Sequence, residues 1–220
     1  AASVLLAGNL KFDGSLILQI QGDGPIALLV VECTSDMDIR ATVSLRENHP
    51  VPQTGTLQTL LNPQGQGRFT VVLAPRQSSK DFRPYQGVVP LEGETVAEVL
   101  QTYMRTSEQL DTHLWLAADE NRCAGLLLQR IPPQGGHSLA QNLDTWERAL
   151  ALGSTVQTQE LLQLDSDTLI HRLFWEEDLQ VFEPQSVRWH CPCSRQRVSN
   201  MLRMLGREEI EQMLAEQDTI

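Results

Sequence analysis

The segment from Phe12 to Val31 constrains the fold most. Past a break at Asp13-Gly14, apolar residues recur every second position at Leu16, Leu18 and Ile20. Period two is the repeat of a strand with one face buried, not of a helix. Gly22-Asp23-Gly24-Pro25 then supplies a turn, with Gly24 expected to tolerate a positive φ, and Ile26 to Val31 is an almost wholly apolar second strand. A hairpin over residues 10–32 commits the chain to an antiparallel sheet.

More strands follow. Met37, Ile39, Ala41, Val43 and Leu45 alternate, which predicts another half-buried strand. Residues 46–67 are rich in Pro, Gly, Gln and Asn, with a brief helical turn expected at Leu57 to Leu61. Phe69 to Ala74 and Tyr85 to Leu91 read as strands joined by a polar connection, Arg76 to Asp81. Val96, Val99, Leu100, Tyr103, Met104 and Leu110 fall at helical spacing, predicting a helix from Thr95 to Leu110 with Glu92 and Glu94 at its start. His113 to Ala117 and Cys123 to Ile131 predict a second antiparallel pair. Pro132-Pro133-Gln134-Gly135-Gly136 closes this block.

Beyond it the periodicity changes. Helices are expected at 138–151, 157–163 and 166–174, with Ser154 and Gln157 as a capping box and Asp165 or Ser166 as the third cap. Leu179 to Trp189 reads as extended and broken by Pro184. Two amphipathic helices, 195–204 and 208–215, are split by Gly206. Strands followed by helices make the fold class α+β, a mainly antiparallel core packed with helices. The expected organisation is a core over 1–135, a helical linker over 136–189 and a small terminal domain over 190–220.

The net charge of −11 argues against nucleic acid, which needs clustered Lys and Arg, and against anionic membrane surfaces. No apolar run reaches the ~18 residues of a membrane span, and Ala1 to Leu6 is too short for a signal peptide. Four cysteines do not make a disulfide scaffold, so the clustered pair Cys191 and Cys193 points to metal or redox work in a reducing, cytoplasmic setting. With one residue between them the two thiols cannot share a helix face, but they can share a strand face. They suit two corners of a tetrahedral zinc site or an easily reduced disulfide. Arg188, Arg195 and Arg197 would favour the thiolates. His190 is a weak third donor. Cys33 and Cys123 lie in apolar runs and are expected to be buried filling. His49, His113, His137 and His171 are scattered, no Gly-x-Ser-x-Gly elbow occurs, and no glycine cluster sits between a strand and a helix as a nucleotide loop requires.

Several segments together resemble the heat shock protein 33 chaperones. Cys191-Pro192-Cys193-Ser194-Arg195-Gln196-Arg197-Val198, then Leu205-Gly206 and Glu208-Glu209-Ile210, looks like the start of that family's redox-switch domain. The run from Leu10 to Pro25 resembles its signature hairpin, and Tyr85 to Glu94 its central motif. Ser107-Glu108-Gln109-Leu110 and Leu173-Phe174-Trp175-Glu176-Glu177 resemble later ones. The resemblance implies a non-enzymatic, ATP-independent holdase that binds unfolded or partly unfolded clients after thiol oxidation, and a homodimer. It implies that a Cys-x-Cys pair and a later Cys-x-x-Cys pair hold one zinc when reduced, and that oxidation pairs the sulfurs and releases the metal. Here Cys191 and Cys193 match the first pair. The second pair and the family's N-terminal region are absent from the 220 residues, so the chain is expected to be a fragment without an intact zinc site, and constitutively active.

The linker carries Trp146, Leu161, Leu162, Leu169, Leu173, Phe174 and Trp175, a large apolar set for short helices. They are expected to pack on the core's sheet at rest and to belong to a client-binding surface once released. Two other readings stay open. One is a thiol-disulfide oxidoreductase using Cys191 and Cys193, which would want a thioredoxin-like βαβ frame. The other is a plain zinc-stabilised interaction module.

Overall fold

A computed structural model describes residues 1–47, 49–76, 84–131 and 139–216. The polar connection 77–81, the Pro-Gly break at 132–136 and His137 lie outside these residues. The first element is a short helix, α1 (Ala2–Gly8), followed by β1 (Gly14–Gln21), β2 (Ile26–Thr34) and β3 (Asp38–Leu45). Next come α2 (Leu57–Leu61), β4 (Arg68–Pro75), β5 (Tyr85–Pro90), α3 (Val96–Thr106), β6 (Thr112–Ala118) and β7 (Cys123–Gln129). The helices α4 (Leu139–Gly153), α5 (Thr158–Gln163) and α6 (Ser166–Phe174), the two-residue β8 (Arg188–Trp189), α7 (Arg195–Leu205) and α8 (Arg207–Glu216) complete the chain. The chain separates into two units, Ala1–Arg188 and Trp189–Ile220.

In the first unit the sheet runs β5-β4-β1-β2-β3-β8, and β1 to β5 pair antiparallel with their neighbours. The alternation of β1 fixes its register. Leu16, Leu18 and Ile20 stand opposite Cys33, Val31 and Leu29 on one side and Leu73, Val71 and Phe69 on the other, so one face of three strands is apolar. That face is covered by Leu6 of α1, by Val99, Leu100, Tyr103 and Met104 of α3, and by Leu114 of β6.

The β6–β7 hairpin is a second layer, apolar on both sides. Leu114, Leu116 and Leu127 face the main core, whereas Trp115, Ala117, Leu126 and Leu128 face a second cluster formed with Leu161, Leu169, Leu173 and Phe174. The linker helices therefore rest on this hairpin, not on the large sheet. The long apolar run of β7 is explained by its two covered faces, not by a buried position in a parallel sheet.

Five local expectations are corrected. The glycine of the β1–β2 turn is needed for close approach, not for φ: a Cβ on Gly24 would lie 2.6 Å from the Leu60 carbonyl oxygen and 2.8 Å from Pro63. The turn is held there by Asp23, whose carboxylate accepts the N–H groups of Gln64 and Gln66. The third helix stops at Thr106, four residues early. Gln109 takes a left-handed φ of 57° and the Leu110 N–H returns to the Met104 carbonyl, a hydrogen-bonded stop that still brings Leu110 back against the core. The alternation of β3 does not give a half-buried strand along its length. Met37 is buried, but Val43 and Leu45 are 51% and 59% exposed, because the cover over this face ends before them. The cap of α5 is not Ser154, which donates to the Ala151 carbonyl; Glu160 instead accepts the Gln157 N–H. Finally, α1 was not anticipated. Asp165, as expected, caps α6 by accepting the Thr168 N–H.

Candidate functional site

The second unit contains the thiol pair. Cys191 and Cys193 are exposed thiols, not a disulfide, in the non-helical stretch before α7. None of its described residues is buried: Met204 is 82% exposed, and Met213 and Leu214 are close to half exposed. With no buried side chain among its described residues, a unit of this size has little apolar contact to hold it folded by itself. Arg195 begins α7, immediately after Ser194. Among the described residues no group of three His, Cys, Asp or Glu side chains could hold a metal ion. Two thiolates are half of a tetrahedral zinc set.

Of the other cysteines, Cys33 is fully buried on the inner face of β2, and burial pushes its thiol pKa up. It is core filling. Cys123 is exposed at the first position of β7, contrary to expectation, because the apolar run begins one residue after it.

The linker residues divide into two groups. Leu161, Leu169, Leu173 and Phe174 are buried in the second cluster, with Leu162 half-buried beside them. Trp146 is half-buried and stands edge-on to His113, 6.0 Å between ring centres. Trp175 is 67% exposed. Charged pairs lace the helices together: Arg148 of α4 to Glu177, and Arg172 of α6 to Glu160 of α5. Arg122 of the hairpin donates to the Leu162 carbonyl.

Past α6 the chain exposes a series of large apolar residues that reasoning from the sequence did not single out: Leu179, Val181, Phe182 and Val187, with Phe182 at 76%. The available signal was an apolar run in an extended stretch around Pro184 with no partner strand.

A third cluster ties two of the quoted motif segments together. The hydroxyls of Tyr85 and Tyr103 both donate to one oxygen of Glu108, at 2.8 and 2.6 Å. Burial, and after it the hydrogen bonds of Tyr103 to Glu108 and to the Tyr85 hydroxyl, hold the Tyr103 phenol far above its ordinary pKa. Tyr103 lies over Gly87, where a Cβ would meet its hydroxyl at 2.6 Å. This cluster locks β5 to the end of α3.

The family model described as Hsp33 protein matches residues 1–220. The chain belongs to the Hsp33 family. A 33 kDa chaperonin of Methylobacillus flagellatus is 48% identical, over 100% of this chain and 71% of the relative's length. That of Neisseria gonorrhoeae is 44% identical, over 100% of this chain and 69% of its own length. The crystal structure of a 33 kDa chaperonin from Thermotoga maritima shares the fold with a TM-score of 0.71 at 22% identity, covering 98% of this chain and 73% of that one. The family is one of chaperones, and the α+β fold follows it. No helix among the described residues is long and apolar enough to cross a membrane.

Proposed function

We propose that this chain belongs to an ATP-independent, cytoplasmic holdase whose client binding is turned on by oxidation of Cys191 and Cys193. Residues 1–135 are its core, 136–189 its linker and 190–220 the start of its switch. The observation that carries the reading is the exposed thiol pair placed a few residues after an exposed apolar stretch, Trp175 to Val187, in a chaperone-family chain. A switch unit with no buried residue among those described stands near its folding threshold, so a small covalent change is enough to unsettle it.

The chemistry is a two-electron oxidation. Hydrogen peroxide accepts a thiolate electron pair, its O–O bond breaks, and one sulfur becomes a sulfenic acid. The second thiolate displaces that oxygen as hydroxide and the S–S bond forms; the two hydroxides released in all take up the two protons the thiols had given to solvent and leave as two waters. In the reduced full-length protein the pair would supply two ligands of a zinc completed from outside residues 1–220. With the switch unsettled, α4–α6 loosen and unfolding clients bind by apolar contact. We expect a homodimer.

A dithiol oxidoreductase would use a parallel βαβ frame, whereas the pairing recorded in both sheets here is antiparallel. The test is light scattering of a thermally unfolding client mixed with the full-length protein, oxidised or reduced. Suppression by the oxidised form alone is expected; equal suppression by both removes the redox switch.

A further inference from the structure

The chain returns to the large sheet three residues before Cys191. The Arg188 N–H donates to the Met37 carbonyl at 3.0 Å, and its guanidinium Nε and Nη2 both reach Oδ1 of Asp38, at 2.9 Å each. The receiving turn is built for this. Thr34 Oγ1 accepts the N–H groups of Asp36 and Asp38, and Met37 sits at a left-handed φ of 59° with its side chain buried. A non-glycine residue in that region is strained, and here the strain is held by the buried side chain and the threonine hydroxyl. The neighbouring Asp36 is already paired with Arg76, which also holds Asp13. The Asp38 side chain is only 19% exposed, so loss of Arg188 leaves a largely covered carboxylate without this cation.

We propose that Asp38 and Arg188 form a clip that anchors the chain entering the Cys191–Cys193 switch to the start of β3, and that the strength of this clip sets how fast oxidation activates the protein. The proposal rests on the redox reading above. Asp38 and Arg188 are positioning residues and take no part in the sulfur chemistry.

The test uses the full-length protein with Arg188→Gln, with Asp38→Asn, and with the charge swap Asp38→Arg plus Arg188→Asp. Two quantities are read: hydrogen exchange of residues 179–188 in the reduced state, and the half-time of activation by peroxide in a client-aggregation assay. Each single substitution should speed exchange about two- to fivefold and shorten the half-time by a similar factor, the range expected of one partly exposed ion pair. The swap should bring both back towards the parent values. Unchanged exchange or a swap that restores nothing would overturn the clip, and faster exchange with an unaltered half-time would overturn its rate-setting role. If the parent protein shows no peroxide response, the redox reading fails, and with it the rate-setting role, while exchange still reports whether the clip exists.

Discussion

Arg148 and Glu177 meet side-on, Nε to Oε1 at 2.5 Å and Nη2 to Oε2 at 3.0 Å, so that α4 grips the chain just beyond α6. Two parallel charge-assisted hydrogen bonds hold their geometry better than a single surface contact. Both ends lie within the layer whose loosening the proposed switch requires. Arg148→Ala should loosen α4–α6 and raise the rate of proteolytic cleavage between residues 175 and 187. Cleavage at the parent rate would show that the pair contributes nothing to holding this layer.

The same layer should be the first to respond to acid. The Thr168 N–H holds the Asp165 carboxyl below its ordinary pKa, the Arg148 guanidinium does so for Glu177, and the Asn121 and Arg122 N–H groups do so for Asp119. A carboxylate with a depressed folded-state pKa stabilises fully above its unfolded value, about 4, and loses that contribution as pH falls through the folded one. Two of the three belong to α4–α6. Tryptophan fluorescence from Trp146 and Trp175 should therefore change below about pH 4, ahead of far-UV signals from the sheet. In Asp165→Ala the onset should lie at higher pH. Simultaneous change of both signals, with no shift in the variant, would contradict this.

Leu173, 3% exposed, lies in the second cluster, and Leu100, fully buried, lies in the first. Either leucine replaced by alanine should cost about 2–5 kcal/mol. The consequences should differ. Leu173→Ala frees the linker layer while leaving the sheet intact, so the reduced full-length protein should gain client protection. Leu100→Ala undermines the whole core and should lose it. A client assay alongside urea denaturation separates the two, and identical behaviour would refute the layered reading.

Gly87 has no room for a side chain beneath the Tyr103 ring. Gly87→Ala should push the Tyr103 hydroxyl off Glu108 and cost about 1–3 kcal/mol. Tyr85→Phe, which leaves the Tyr103–Glu108 hydrogen bond in place, should cost less. Thermal midpoints of the two variants measure the difference; equal midpoints would mean that the approach at Gly87 is not tight.

Elements with a strong local period were legible from the amino-acid sequence. β1 shows it best, because Leu16, Leu18 and Ile20 alternate on a face that is covered along its whole length. The misreadings arise where tertiary cover decides. Val43 and Leu45 alternate as regularly as the residues of β1, yet they are exposed, and nothing local announces where the tertiary cover of a strand ends. Helix α1, with seven residues and no side-chain cap, leaves too short a trace for helical periodicity. The two-faced hairpin was hidden because an all-apolar run such as Leu126 to Leu128 does not say how many layers it separates. At the candidate site, the thiol pair stood out by spacing alone. The contact of Arg188 with Asp38 did not, since 150 residues separate them and only folding brings them together.

The most direct measurement compares the full-length protein with its Cys191→Ser, Cys193→Ser counterpart, each before and after hydrogen peroxide, by the light scattering of a heated client. The account predicts that peroxide sharply reduces scattering with the parent protein and leaves it unchanged with the serine variant. A serine variant that still gains protection on peroxide treatment would contradict it.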